Sequence, residues 1–243
     1  LFIFPPRWIP ESPQVDNYAE VFRQVPFGTW YLNSVVVVVL STAGVLVTAT
    51  LVAYSFARFR WPARDAIFAI TLATMMLPGE VTLIPKYILF KNLGWLNTIL
   101  PLWVPAWFGG SAFVIFLLRQ FMLSLPRDFD EAATIDGANP WQILAHIILQ
   151  LMKPVLATVA VLHSIWTWND FLDPLIYLAS PEKFTLALGL RFFSVTPGTQ
   201  SSGIPTEHLL MASVVMSTLP IIILFFFAQK YFVQGIVMSG LKG

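Results

Sequence analysis

Long apolar stretches separated by short polar segments make up most of the chain. A helix that crosses a bilayer needs about 20 mostly apolar residues. Stretches of this kind run over Trp30–Phe56, Ala66–Leu89, Ile99–Leu123, Pro154–Leu178 and Leu209–Val233. Lipid-exposed backbone must satisfy its own hydrogen bonds, and these runs are too long and continuous for the alternating strands of a barrel. The predicted fold is therefore all-α, a polytopic membrane helical bundle with five spans.

The second apolar stretch contains residues that break helices. Pro78 and Gly79 interrupt it, Pro85 follows, and Glu80 comes directly after the predicted break. Broken helices in transporters often line the substrate path. A charged side chain near a bilayer centre costs about 2.5–3.5 kcal/mol on insertion scales, so its presence there indicates a function. Glu80 is therefore a candidate substrate-path residue.

Basic residues in short loops predict the orientation of the chain in the membrane. Arg58, Arg60 and Arg64 lie close together between the first and second stretches, which places this loop in the cytoplasm. Alternation then places residues 126–153 inside and the long loop Ser180–Glu207 outside.

The domain division follows from this orientation. Residues 1–29 form an external segment, and residues 30–243 form the transmembrane domain. Five spans with an external N-terminus, in a chain that starts at Leu1 rather than Met, lead us to expect that a first span precedes residue 1.

The composition agrees with a membrane protein and narrows the possible chemistry. Hydrophobic residues make up 57% of the chain and charged residues 11%, against about a quarter charged in a soluble domain. The net charge of +1 does not indicate nucleic acid binding, and the absence of cysteine excludes disulfides and thiolate metal sites. His146, His163 and His208 are too far apart in sequence to show a metal-ligand spacing, which favours ordinary packed or interfacial histidines.

The cytoplasmic loop 126–153 carries the signals of a short helix, a turn and a second helix. Asp128 followed by Glu131 matches a capping box that opens the first helix. Gly137 is predicted to end it, because glycine adopts the left-handed cap conformation without strain. Asn139, with Gln142 three residues later, is a second capping box.

The second helix of this loop is predicted to be amphipathic and to lie along the membrane surface. Helical spacing places Trp141, Leu144, Ile148 and Leu151 on one apolar face. Lys153 and Pro154 then separate it from the fourth span.

The first helix has the composition of a docking surface. The small residues Ala132, Ala133 and Gly137 let another surface approach closely, and Glu131 and Asp136 offer charge-assisted bonds to a basic partner. The alternative is a well-capped cytoplasmic loop whose carboxylates serve only the backbone amides.

A polar cluster interrupts the fourth apolar stretch, in the segment WTWNDFLDP. Trp166, Trp168, Asn169 and Asp170 are candidates for the substrate path, and Asp173 shares a helical face with Asp170. Two alternatives remain open, in which Asn169 and Asp170 are structural hydrogen-bond partners and Asp173 is simply solvated. Other tryptophans near span ends are interpreted as interfacial belt residues, namely Trp30, Trp95 and Trp103.

The loop sequence EAATIDGANPWQILAHIILQLMKP resembles the EAA loop of permease subunits of ATP-binding-cassette (ABC) importers. Glu131, Ala132, Ala133 and Gly137 match the motif residue by residue, whereas Gln150 stands where the family usually has proline. Further segments are similar to the carbohydrate-importer branch, the MalG-like type, in order along the chain. They are FPPRWIPE, NYAEVF, AYSFARFRWPARD, MLPGEVTLIPKY, WNDFLDPLIYL, FTLALGL and GLKG.

This resemblance implies a six-span intact protein in a bacterial or archaeal plasma membrane, with the Glu131–Gly137 helix as a cytoplasmic coupling helix. It implies as partners a second homologous permease, two ATPase subunits and an external solute-binding protein, which the loop Ser180–Glu207 would touch. ATP and magnesium are expected on the ATPase and no cofactor on this chain, which lacks the G-x-x-x-x-G-K-[ST] phosphate loop. The implied cargo is a sugar or sugar-like solute, such as an oligosaccharide, monosaccharide, polyol or glycerol-phosphate. The resemblance also implies that the partner permease makes much of the sugar contact.

Two other functions are alternatives to an ABC permease. An ion-gradient-driven secondary transporter would use Asp170 or Glu80 as its ion site, but it needs no acidic, small-residue docking helix in a cytoplasmic loop. A membrane-embedded enzyme would require clustered histidine or carboxylate ligands at one membrane face, and the sequence shows no such cluster.

Overall fold

A computed structural model describes residues 14–195 and 207–240, and within these ranges the protein is helical without strands. The first 13 residues of the external segment and residues 196–206 of the outer loop lie outside the described residues. In chain order the helices are α1 (Asp16–Gln24), α2 (Phe27–Arg58), α3 (Arg64–Ala73), α4 (Gly79–Asn92), α5 (Leu100–Trp103), α6 (Ala112–Ser124), α7 (Asp128–Ile135), α8 (Pro140–Leu151), α9 (Lys153–Trp168), α10 (Leu172–Tyr177), α11 (Leu186–Val195) and α12 (Glu207–Gly240).

The lengths and hydropathy of these helices confirm the all-α membrane bundle. Among the described residues, Phe27–Arg58, Leu100–Ser124 and Glu207–Phe227 are each long and apolar enough to cross a membrane. Two bent pairs bring the number to as many as five. Arg64–Met76 and Gly79–Asn92 meet at 99°, and α8 and α9 meet at 76°. The first bend lies at Pro78–Gly79, where the sequence predicts a break.

Two predicted spans are less continuous than expected. In the third, a loop separates the short helices before Phe108 from α6, because Gly109 and Gly110 adopt φ angles of +99° and +68° that no helix contains. In the fourth, α9 ends at Trp168 and α10 begins at Leu172. The prediction of one helix over Pro154–Leu178 is therefore wrong. The Asp170 carboxylate lies in the break and accepts the Asp173 amide hydrogen of the first turn of α10 at 3.4 Å.

Helix α2 connects the two hydrophobic clusters of the protein. Its N-terminal half packs in a cluster with α1, the segment around Leu178–Leu188 and the start of α12. Its C-terminal half packs in a second cluster with α6, α8 and α9, which also includes Ala133 of α7. The loop that carries the EAA motif is therefore attached to the core.

Trp30 belongs to the first of these clusters, so its interpretation as an interfacial belt residue is wrong. The side chain is 1% exposed, and its indole N–H donates to the Pro181 carbonyl at 2.7 Å. Gly189 packs so closely against the ring that a Cβ atom there would overlap it. The long-range pairing with Pro181, which sequence position does not reveal, holds this tryptophan inside the protein.

Polar side chains connect α2 to α9 across their interface. The Ser41 hydroxyl lies 2.6 Å from Nε2 of His163, and the Thr42 and Ser164 hydroxyls are 3.2 Å apart. Hydrogen bonds between helices satisfy polar groups where lipid offers no alternative partner. His163 is thus a packed histidine, as the sequence suggests.

Candidate functional site

The turn between α7 and α8 has the predicted glycine conformation. Gly137 adopts φ +83°, its N–H donates to the Thr134 carbonyl at 3.0 Å, and the Ala138 N–H donates to Ala133 at 2.9 Å. A Cβ atom at Gly137 would find nothing within 4 Å. Glycine is therefore required here by the backbone conformation and not by packing.

The capping of the two loop helices differs from the prediction at one end. At α8 the capping box is confirmed, because Asn139 Oδ1 accepts from the Gln142 N–H at 3.0 Å and Gln142 Oε1 accepts from the Asn139 N–H at 2.8 Å. At α7 the prediction of a capping box formed by Asp128 and Glu131 is wrong. The chain is already helical at Arg127, which makes no side-chain cap, so Asp128 lies in the first turn and its charge meets the positive end of the helix dipole.

The apolar face of α8 is shifted relative to the predicted one. Leu144 and Ile148 are buried as expected, but Trp141 is 68% exposed and Leu151 36% exposed. Residues Leu144–Ile148 form a π-helical turn. The wider turn changes the register of the residues that follow it, so Met152 takes the buried position predicted for Leu151. Helix α8 ends at Leu151 even though Gln150 replaces the usual proline.

An ion pair attaches α7 to the last turn of α2. Nε of Arg58 lies 3.2 Å from Oδ2 of Asp130, and the two side chains are 7% and 20% exposed. The Arg58 guanidinium also donates to the Leu125 carbonyl at 3.3 Å, and the Tyr54 hydroxyl donates to the Pro140 carbonyl at 3.2 Å. Sequence reasoning assigned Arg58 only to membrane orientation, and it gave Asp130 no role.

The residues predicted to contact an ATPase lie mostly on the outer surface of this loop. Four of the five are exposed, namely Glu131, Ala132, Asp136 and Gly137. Ala133 is 7% exposed and faces the core. Ile135, at 86% exposed, is an apolar side chain on the same outer surface. We name the surface formed by Glu131, Ala132, Ile135, Asp136 and Gly137 the coupling surface.

A cavity of about 640 Å³ lies at the other end of the molecule, between α2, α4, α5, α9 and α10. Most of its lining is apolar, and its titratable residues are Lys86, His163, Asp170, Asp173 and Tyr177. We name it the outer cavity. No three His, Asp or Glu side chains in the described part of the chain come close enough together to hold a metal ion.

The structure separates the residues predicted for the substrate path. Of these, Asp170 lines the outer cavity, together with Asp173. Asn169 is exposed and donates to the Ile165 carbonyl at 2.8 Å, and Glu80 is exposed at the start of α4. Trp166 is 52% exposed. The substrate-path role of this set stays a prediction.

Trp168, the remaining member of that set, has an evident packing role. It is 8% exposed, and its indole N–H donates to the Ser217 carbonyl at 3.1 Å. Its ring meets Tyr31 edge to face at 5.6 Å. These contacts join α9 to α2 and α12.

Asn97, for which the sequence predicts no role, holds the segment 177–183, which begins at the cavity-lining residue Tyr177. It adopts φ +56°, and its Oδ1 accepts from the Ala179 and Ser180 N–H groups at 3.1 and 3.0 Å. Its own N–H donates to the Tyr177 carbonyl at 2.7 Å, and Lys183 Nζ donates to its carbonyl at 2.7 Å. An asparagine tolerates the left-handed conformation better than most residues, and this tolerance is the only local signal that the sequence offered.

Comparison with known proteins gives consistent matches over most of the chain. Residues 45–238 match the family described as binding-protein-dependent transport system inner membrane component. The arabinooligosaccharides transport system permease protein AraQ of Halalkalibacterium halodurans is 35% identical over 239 residues, covering 96% of this chain and 81% of that protein. The lactose transport system permease protein LacG of Rhizobium radiobacter is 33% identical, covering 92% and 79%.

Solved structures show the same fold. A chain of a bacterial ABC transporter involved in the import of the acidic polysaccharide alginate matches with a TM-score of 0.82 and 29% identity, over 92% of this chain and 81% of that one. A bacterial alginate ABC transporter in complex with a periplasmic protein bound to alginate pentasaccharide matches with a TM-score of 0.69 at 14% identity, over 89% and 81%. By its sequence, its fold and its EAA loop, this chain belongs to the family of inner membrane components of binding-protein-dependent transport systems.

Proposed function

We propose that this chain is a permease subunit of an ATP-driven importer for a carbohydrate. Family membership supports the transport role, and relatives at 32–35% identity are named for arabinooligosaccharides, lactose and alpha-glucosides. The subunit binds and conducts its solute without making or breaking covalent bonds. Membership in this family also favours ATP coupling over the ion-gradient alternative.

The partners of the subunit follow from this proposal. It pairs with a second, homologous permease, two ATPase subunits hydrolyse ATP with magnesium, and an external binding protein delivers the solute. The complex sits in the plasma membrane of a bacterium or an archaeon. We expect the nucleotide and metal sites of the assembly to lie on the ATPase subunits.

The coupling surface is the observation that carries the proposal. It presents two carboxylates, an exposed alanine and an exposed isoleucine on a short helix and the glycine turn that ends it. A groove on an ATPase with basic and apolar groups would complement such a surface, because charge-assisted hydrogen bonds reward a close approach. The neighbouring groove of about 420 Å³, lined by Arg58, Arg127 and Asp130, leaves room for a partner side chain at the edge of the helix.

The contacts behind the coupling surface suggest how ATPase motion reaches the membrane. A displacement of the loop acts on Arg58 through Asp130 of α7 and on Tyr54 through Pro140 of α8. Arg58 and Tyr54 both lie in the last two turns of α2. Ala133, buried behind the coupling surface, transmits the same displacement to the hydrophobic cluster.

The direct test is reconstitution of the four-component complex in vesicles, with uptake of labelled arabino- and gluco-oligosaccharides as the readout. We expect uptake that requires ATP, the ATPase and the binding protein. Co-purification of the ATPase should be lost on Glu131→Arg and retained on Asp65→Arg, a matched charge reversal of an exposed carboxylate away from the EAA loop. Uptake driven by an ion gradient in vesicles without the ATPase would overturn the proposal.

A further inference from the structure

The outer cavity has the size and composition of a binding site for a small molecule. Its volume of about 640 Å³ lies within the range of about 300–1,000 Å³ typical of such sites. Ligand sites are characteristically apolar and aromatic, with a few polar groups that fix orientation. The polar groups here include Lys86, Asp170, Asp173 and Tyr177, and both aspartates lie within electrostatic range of Lys86 and of Tyr177.

Tyr177 supplies the first indication of a ligand. The residue is 2% exposed, and its hydroxyl has no hydrogen-bond partner in the part of the chain that the structure describes. Buried polar groups are nearly always paired, and an unpaired one is unfavourable. Because Tyr177 lines the outer cavity, a hydroxyl group of a molecule in the cavity is a suitable partner for it.

The aromatic rings beside Tyr177 supply the second indication. Phe90 stacks on Trp95 with ring centroids 5.7 Å apart and planes 16° apart, and Tyr177 meets Phe90 edge to face at 5.1 Å. All three residues line the outer cavity. A fixed aromatic wall next to carboxylates suits the two sides of a sugar, whose C–H groups pack on rings and whose hydroxyls donate to carboxylates.

The charges of the cavity restrict which sugar fits. Asp170 and Asp173 outnumber Lys86, so the lining carries a formal charge of −1 with His163 counted as neutral. Lys86 makes no ion pair within 4.0 Å among the described residues, so it does not neutralise either carboxylate by direct contact. A uronate carboxylate in this cavity would face two like charges, which is a basis for rejection.

We propose that the outer cavity is a carbohydrate subsite that accepts a neutral sugar and rejects acidic ones, with Asp173 and Tyr177 as its specificity-determining residues. The proposal rests on the proposed function in sugar import. It also distinguishes this protein from the matched transporter of the acidic polysaccharide alginate, with which it shares the fold.

Asp173 and Tyr177 can be tested with substitutions that preserve the local structure. Asp173 contributes its backbone N–H, not its carboxylate, to the start of α10. Asp173→Asn therefore removes only the charge, and Tyr177→Phe removes only the hydroxyl. Lys86→Gln is the opposite charge change in the same cavity, and Asp65→Asn is a matched carboxylate change outside it.

The experiment compares these variants in the reconstituted complex with an unchanged binding protein. Uptake of a neutral arabino-oligosaccharide and of a galacturonate oligosaccharide of equal length is measured, together with ATP hydrolysis. Because the binding protein is the same throughout, a change in the uptake ratio between the two solutes arises in the permease.

We expect Tyr177→Phe to lower neutral-sugar uptake about threefold or more while ATPase activity is retained. Asp173→Asn should shift the uptake ratio toward the uronate by about tenfold, and Lys86→Gln should shift it away. Suppose that the wild-type complex imports neutral sugars and that none of the three substitutions changes the uptake ratio between the two solutes. That result would overturn this inference and leave the proposed function intact. A wild-type complex that imports uronates as well as neutral sugars would also overturn it. Absence of ATP-driven uptake of any sugar would overturn the proposed function itself.

Discussion

The guanidinium of Arg58, in the last turn of the first span, lies 3.2 Å from the carboxylate of Asp130 in the first turn of α7. The two residues are 72 positions apart in sequence. They join the membrane domain to the coupling helix through side chains that are largely withdrawn from solvent.

Breaking this ion pair should uncouple ATP hydrolysis from transport. Removing one partner of a buried pair leaves an uncompensated charge and costs roughly 3–5 kcal/mol, with the lower end expected here because Asp130 is 20% exposed. We expect Asp130→Asn and Arg58→Met each to lower the thermal stability of the complex and to reduce solute uptake per ATP hydrolysed. The control is Asp128→Asn, a neighbouring exposed carboxylate. The double variant Arg58→Met/Asp130→Asn should be less impaired than the sum of the two single ones. Additive effects would show that the pair does not act as a unit.

Gly137→Ala should destabilise the loop by about 1–2 kcal/mol, the cost of a left-handed conformation for a residue with a Cβ. Its φ angle is +83°, and the surrounding space is open, so backbone strain is the only expected cause. Gly79→Ala is the matched control, because that position has open space and no positive φ. Melting temperature and ATPase co-purification are the readouts. Gly137→Asn should be milder than Gly137→Ala, and the opposite order would contradict the strain argument.

The two ends of the loop helices give a prediction about capping. Asn139→Ala removes a hydrogen-bonded capping box and should cost about 1 kcal/mol. Asp128→Ala removes only a charge near the positive end of the helix dipole and should cost about 0.3–1 kcal/mol of stability. High salt should reduce this loss, because it screens the interaction of the charge with the dipole. Chemical denaturation of the purified complex at low and high salt separates the two effects. Equal losses that do not depend on salt would contradict the geometry of α7.

A close contact in the middle of α2 gives a prediction about packing. A Cβ atom at Gly44 would lie 2.6 Å from the Trp107 ring, whose indole N–H donates to the Leu40 carbonyl at 3.1 Å. Gly44→Ala should therefore destabilise the bundle by about 1–3 kcal/mol through overpacking. Trp107→Leu makes room for the added methyl group, so the double variant should lose less stability than the two single variants together. Thermal unfolding in detergent measures this, and no recovery in the double variant would show that the strain lies elsewhere.

The features that could be predicted from the sequence depend on short segments. The lengths of the apolar stretches were enough to identify the spans, since lipid leaves helices as their only compatible form. The bend at Pro78–Gly79, the turn at Gly137 and the box at Asn139 involve residues within one or two helical turns of each other. Each was predicted, and each is present in the structure.

The features that could not be predicted depend on residues far apart in sequence or on local exceptions to helical geometry. The loop 126–137 contains several carboxylates, and only the packed structure reveals that Asp130 is the one that meets Arg58. The burial of Trp30 depends on Pro181 and Gly189. The shifted apolar face of α8 depends on a π-helical turn, for which the residues Leu144–Ile148 carry no evident signal.

Only part of the lining of the outer cavity could be predicted from the sequence. The segment WTWNDFLDP predicts that Asn169 and Asp170 lie together on the substrate path. In the structure, which has a break after Trp168, the Asn169 side chain is exposed on the protein surface, whereas Asp170 and Asp173 line the cavity. Lys86, Phe90 and Trp95 complete its lining from a different helix and its following loop. The position of that break, after Trp168, was the missing information.

Helix α2 is 32 residues long, about 48 Å at 1.5 Å per residue. Near one end Asn33 donates to the carbonyls of Glu182 and Phe184, and at the other Arg58 holds Asp130. The helix is continuous and contains no proline between these two attachments. In the proposed permease, a displacement of the coupling surface would therefore reach the opposite face of the membrane along one continuous helix. Motions at the two faces would then be simultaneous, because no flexible joint lies between them.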